Sequence, residues 1–185
     1  MRAEHPGRFD DVLLTPPNLM FDRKFSIIGG DLTLELFATP GHKTDHIAVY
    51  VPEIRTLFAG DAAELPFPFV ESPASMPHIR ESLARMAALQ PATALYCHAP
   101  VTSGPALLSR NIAYFDTIET HCRAALARGI SLPIDDSDDV EELVDFPYEE
   151  AVSDLEDNAE LIDFYRPGHR FALRAMLEYL SASES

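Results

Sequence analysis

The sequence predicts an α/β domain, on three observations. Short runs of alternating apolar residues, rich in β-branched and aromatic types, recur between Phe25 and Cys97. A stretch with helical periodicity separates the last two runs, as in a strand–helix–strand alternation. A longer helical pattern then follows the final run. Together these divide the chain into an irregular lead-in (1–24), an α/β unit (25–130), and an acidic linker with C-terminal helices (131–185).

Taken in order, residues 5–24 are rich in Pro, Asp and Arg and read as an irregular connection, with a turn at Thr15-Pro16-Pro17-Asn18. Ser26-Ile27-Ile28 is a strand, and Gly29-Gly30-Asp31 turns the chain into the next one, Leu32 to Ala38. Further strands are expected at Ile47 to Val51 and Thr56 to Ala59, with a hairpin turn near Pro52-Glu53. Glu64-Leu65-Pro66-Phe67-Pro68-Phe69-Val70 is too broken by proline for regular structure. Ile79, Leu83, Met86 and Leu89 recur at helical spacing, so Pro77 to Leu89 is an amphipathic helix with its proline in the first turn. Gln90-Pro91 ends it, and Ala92 to Cys97 is a short strand.

A second helix is expected from Pro105 or Ala106 to Arg128, with Leu107, Leu108, Ile112, Phe115, Ile118 and Leu126 as its buried stripe and Gly129 as its stop. A short helix is expected at Val140 to Val144. The tail from Asn158 to Ser181 is helical, and Pro167-Gly168 should split it into two pieces.

Composition narrows the function. A chain of 185 residues can bury a substantial core, and its net charge of −16 repels phosphate backbones, which excludes nucleic acid as a partner. Much of the acid lies between Asp135 and Asp163 and reads as a solvated face. Cys97 and Cys122 give no disulfide framework, no secretory signal opens the chain, and no apolar run is long enough to span a bilayer. A cytoplasmic protein with no membrane partner is therefore expected. There is neither a phosphate-binding glycine loop nor a G-x-S-x-G elbow.

The chemistry-bearing residues sit where strands end. Pro40 and Gly41 break the chain out of its strand and present His42; Gly60 does the same for Asp61; the last strand delivers His98. Two imidazoles and a carboxylate suit a borderline divalent ion such as zinc or iron. Around them, Glu64 is read as an exposed ion-pairing residue, the alternative being a role at the metals or a substrate. Phe67 and Phe69 are either an apolar wall for substrate or a plug for the core edge. Cys97 is expected as a small buried residue, His121 and His169 as packing residues, and His5 as no ligand.

Thr39-Pro40-Gly41-His42, Phe58-Ala59-Gly60-Asp61-Ala62-Ala63 and Tyr96-Cys97-His98-Ala99-Pro100 resemble, in order and spacing, the third, fourth and fifth metal motifs of the metallo-β-lactamase superfamily. The resemblance covers residues 20–125. It implies an αββα sandwich in which His42 binds one metal, His98 a second, and Asp61 bridges both as the catalytic carboxylate. Two zinc ions are the implied cofactor, with iron or manganese as alternatives. The implied reaction is metal-assisted hydrolysis of a small-molecule ester, thioester or lactone, and Thr44 or Asp45 would steady an imidazole.

One departure is large. The upstream His-x-His-x-Asp-His motif of the family occurs nowhere in this chain, and His42-Lys43-Thr44-Asp45-His46 does not replace it. The chain therefore reads as the C-terminal part of such a sandwich, incomplete at its N-terminus, with Met1 an internal start or the edge of a truncated reading frame. A degenerate homologue and half of a two-chain enzyme are the alternatives. Weak metal occupancy and no turnover are expected of the lone chain, and a non-catalytic scaffold or regulatory subunit is the competing function. Uncovered sheet faces should drive a homodimer or recruit a complementing N-terminal half. The substrate itself is not legible, because it depends on loop geometry.

Overall fold

The structure is a computed structural model that describes residues 11–13, 15–130, 132–135, 138–155 and 159–183; the side chains of 159–163 are not described. His5 thus lies outside the described residues.

Five strands form one sheet in chain order: β1 (Lys24–Gly29), β2 (Leu32–Ala38), β3 (Ile47–Val51), β4 (Thr56–Gly60) and β5 (Thr93–Tyr96). The first four pair antiparallel as a meander, and β5 joins β4 in parallel. A parallel neighbour needs a crossover, supplied by helix α1 (Met76–Ala88). The β3–β4 turn is a short 3₁₀ segment, Pro52–Ile54, closed by Arg55 in the left-handed region at φ 48°. Then follow α2 (Ala106–Ala127), two short helices α3 (Val140–Val144) and α4 (Tyr148–Ala151), and α5 (Ala159–Ser183). The predicted strands, turns and first three helices are thus found within a residue or two of their expected bounds. None of the helices is long and apolar enough to cross a membrane, among the described residues.

Strand periodicity gives the sheet two unlike faces. Phe37, Ala48, Tyr50, Leu57, Ala59 and Ala94 are buried in a single core with Ile79, Leu83 and Met86 of α1, Phe115 and Ile118 of α2, and Leu173 and Met176 of α5. The cross-strand row Leu36, Val49, Phe58 and Leu95 lies on the other face. There Ile27, Leu32, Leu34, Ile47 and Phe58 remain 36–46% exposed. The arrangement is one sheet with one helical layer, consistent with part of the expected αββα sandwich.

The C-terminal tail departs from expectation. Pro167 lies inside α5 without dividing it. A proline removes one intrahelical hydrogen bond, but neighbouring contacts hold the helix through it. Tyr165, His169, Leu173 and Met176 are all buried on one side, and Gly168 sits so close to Phe69 that a Cβ there would collide with the ring.

His169 is fully buried, as a packing residue. Its Nε2–H donates to the Phe146 carbonyl at 3.0 Å, leaving Nδ1 to accept from the Tyr114 hydroxyl at 2.9 Å. His121 likewise packs, stacking on Phe146 at 4.9 Å. Burial lowers the His169 pKa; the bond to Phe146 and the charge of Glu141 oppose the shift, while Arg166 and Arg170 add to it. A lowered folded-state value means that the folded chain resists protonation. The stabilisation from neutral His169 is present above the unfolded value of about 6.5 and is lost as pH falls. Urea denaturation at about pH 7.5 and about pH 5.5 should therefore show a smaller loss of stability for His169→Gln than for the parent chain.

Candidate metal centre

Strand direction brings the candidate residues together. Because β2 and β4 each pair antiparallel with β3, they run the same way, and β5 runs parallel to β4. Their C-terminal ends therefore open on one rim of the sheet, the side on which open α/β sheets place their ligands. His42 follows β2, Asp61 follows β4 and His98 follows β5.

The loop that carries His42 is pressed onto α1. Gly41 has φ 134°, and a Cβ there would lie 2.5 Å from the Ile79 backbone, so both conformation and space require glycine. Ser82 donates to the Pro40 carbonyl at 2.8 Å, and Arg85 donates to that of Ala38. His42 Nδ1 lies 3.1 Å from the Phe69 carbonyl. A carbonyl only accepts, so Nδ1 carries the proton and the Nε2 lone pair is free for another partner.

His46 serves the backbone instead. Its Nε2 accepts from the Asp61 N–H at 3.1 Å, so Nδ1–H faces the Thr39 hydroxyl at 2.7 Å. That bond occupies the Nε2 lone pair and commits the ring to the Asp61 backbone. A Cβ on Gly60 would sit 2.8 Å from that Nε2, and Gly60 has φ 59°. Burial lowers the His46 pKa and favours the neutral ring that this arrangement needs.

Asp61 Oδ1 lies 3.5 Å from His98 Nε2 and is buried with no hydrogen-bond partner. The loops that hold the pair are tied together, since Cys97 N–H donates to the Gly60 carbonyl at 3.3 Å and Leu65 N–H to that of His98 at 3.2 Å. An unpartnered buried carboxylate oxygen facing an imidazole fits a divalent cation between them. Yet among the described residues no group of three or more His, Cys, Asp or Glu side chains converges enough to hold a metal ion. The donors present fit part of a coordination sphere and do not complete one.

Several expectations need correction. Glu64 is 2% exposed, not a surface ion-pairing residue. Its carboxylate accepts from the Tyr165 hydroxyl at 2.8 Å and approaches His42 Nδ1 at 3.7 Å. Burial pushes its pKa up to about 7, against the opposing Tyr165 bond and the charge of His98. Cys97 is exposed, at the rim beside His98 rather than inside the core. Thr44 donates to Glu71 at 2.7 Å, so Thr39 and the Phe69 carbonyl orient the imidazoles in its place, and Asp45 acts on His46 only through its charge. Phe67 belongs to the core, stacked on Tyr114 at 4.1 Å, while half-buried Phe69 stacks on Tyr165 at 5.1 Å.

Sequence reasoning missed Asn111. Fully buried on α2, it accepts from Glu64 N–H at 3.0 Å and donates to the carbonyls of Glu64 and Pro66 at 2.9 and 3.1 Å. An amide inside an otherwise apolar helical stripe was the available signal.

Replacing His46 by Ala would leave the Asp61 N–H without its acceptor and Thr39 without its partner. The expected cost is about 1–3 kcal/mol in urea denaturation. Amide exchange at Asp61 should accelerate more than exchange at core strand residues such as Leu57.

The model of the metallo-beta-lactamase superfamily matches residues 3–98, just over half of the 185-residue chain. A hydroxyacylglutathione hydrolase from Pseudomonas aeruginosa (strain LESB58) is 47% identical over 70 residues, covering 36% of this chain and 26% of that protein. Among solved structures, a metallo-beta-lactamase family protein from Thermus thermophilus is similar, with a TM-score of 0.59 and 23% identity, over 91% of this chain and 51% of that one. A beta-lactamase domain protein from Burkholderia ambifaria gives 0.62 and 18%, over 93% and 49%. The chain thus spans about half the length of these solved structures, and the match to the curated relative spans about a quarter of that protein. With the strand-end motifs, the fold and the family match in agreement, the chain belongs to the metallo-beta-lactamase superfamily.

Proposed function

We propose that this chain supplies part of the active site of a metal-dependent hydrolase acting on an ester, thioester or lactone. The observation that carries the reading is the buried, unpartnered Oδ1 of Asp61 facing His98 at 3.5 Å. His42, with its Nε2 lone pair left free, is the further ligand. A bound divalent ion, zinc first, would supply a water of lowered pKa and polarise the scissile carbonyl. The chain's own residues hold the donors: Phe69 sets the His42 tautomer, His46 steadies the Asp61 backbone, and Asn111 braces the following loop. The thioester branch gains support from the name of the Pseudomonas relative.

Shared between two metal positions, His42, Asp61 and His98 fall short of the three protein ligands that each catalytic zinc usually keeps. The isolated chain should retain less than one equivalent of zinc after gel filtration and turn over no thioester, and Asp61→Ala or His98→Ala should remove the residual binding. Two tightly held ions in a monomer would overturn the half-site reading. No binding at all, unchanged by either substitution, would favour a scaffold or regulatory subunit that keeps the fold without the reaction.

The apolar face bearing Ile27, Leu34, Ile47 and Phe58 supports a second proposal, that another layer covers it, either a second copy or a complementing half. Light scattering of the purified chain should give twice the monomer mass, and Phe58→Glu should return the monomer. A monodisperse parent monomer would count against self-association.

A further inference from the structure

The rim that holds Asp61 and His98 continues into a cleft of about 500 Å³, within the range of about 300–1,000 Å³ usual for small-molecule sites. Leu65, Ala99 and Pro100 line one part of it, and Phe164 and Tyr165 of α5 another. These two aromatics lie beyond the region matched by the family model. Phe164 is 66% exposed, yet its ring is fixed edge-on against Phe69 at 6.0 Å and Tyr165 at 5.1 Å. An aromatic held in place by aromatics and left open toward a cleft is a preformed stacking surface. No Lys or Arg is among the described residues that line it, the nearby carboxylates are Asp61 and Glu64, and the chain as a whole carries −16.

We propose that Phe164 and Tyr165 are specificity-determining residues, and that the substrate group they receive is uncharged and apolar, aromatic above all. This rests on the hydrolase reading and narrows it. A glutathione thioester carries two carboxylates and an ammonium, and no Lys or Arg among the described lining residues receives its carboxylates, while the surrounding field repels them. A neutral aryl or alkyl thioester meets Leu65, Ala99, Pro100 and the Phe164 ring face, with Cys97 and His98 at the end nearest the rim. The substrate class therefore differs from the one in the Pseudomonas relative's name.

Two thioethers sharing one benzylthio group test this: neutral S-benzyl-N-acetylcysteamine and anionic S-benzylglutathione. Each is titrated into the ¹⁵N-labelled full chain and followed by amide shifts. The neutral probe should move Ala99 and Phe164 and bind at least about fivefold more tightly than the glutathione conjugate. Phe164→Ala, a change at an exposed position, should weaken the neutral probe about fivefold and leave the rest of the spectrum in place. Equal or tighter binding of the conjugate overturns the proposal. So do shifts confined to the sheet face around Leu34 and Phe58, indifference to Phe164→Ala, or no binding of either probe. Neither compound has a scissile bond, so the result is independent of metal and turnover. A chain that binds the neutral probe here but never hydrolyses the matching thioester refutes the hydrolase reading alone.

Discussion

One imidazole holds the rim together. His46 stands at the start of β3 and reaches both ways, accepting from the Asp61 backbone with one nitrogen and meeting the Thr39 hydroxyl with the other. Asp61 can then turn its carboxylate toward His98 without its own N–H left unpaired. The bond is feasible only because Gly60 has no side chain to strike the ring. A neutral, partly buried histidine thus performs the positioning on which the Asp61 carboxylate relies, and its lone pair is consumed in doing so.

Around that bond the fold is built by alternation. The meander delivers β2 and β4 in the same direction, the α1 crossover adds β5, and three strand ends open together. Helices then brace two of these loops from behind: α1 lies under Pro40 and Gly41, while α2 and α5 hold the loop after β4, through Asn111 and Arg110 at Pro66 and Tyr165 at Glu64. The opposite face of the sheet has no such support among the described residues, and its apolar row is left half open.

Much of this was legible in the sequence, and the parts that were not share a cause. Period-two patterning located the strands, proline and glycine located their ends, and the residue types at those ends located His42, Asp61 and His98. Glu64 escaped because its burial comes from Tyr165, 101 positions away, and no local pattern marks a carboxyl that a distant hydroxyl will cover. Cys97 was misplaced for a similar reason, since its exposure depends on which distant segments pack at the rim, and the short strand before it carries no mark of that. The unbroken α5 followed from packing against Phe69, which local propensity at Pro167 cannot register.

Phe69 gives the C-terminal helix a mechanical link to the chemistry. Its ring presses on α5 at Gly168 while its carbonyl holds the proton of His42. Trimming the chain to the homologous block of residues 3–98 would remove the backing of that ring and let the imbalance reach the imidazole. A boundary drawn on kinship would cut through a single working part.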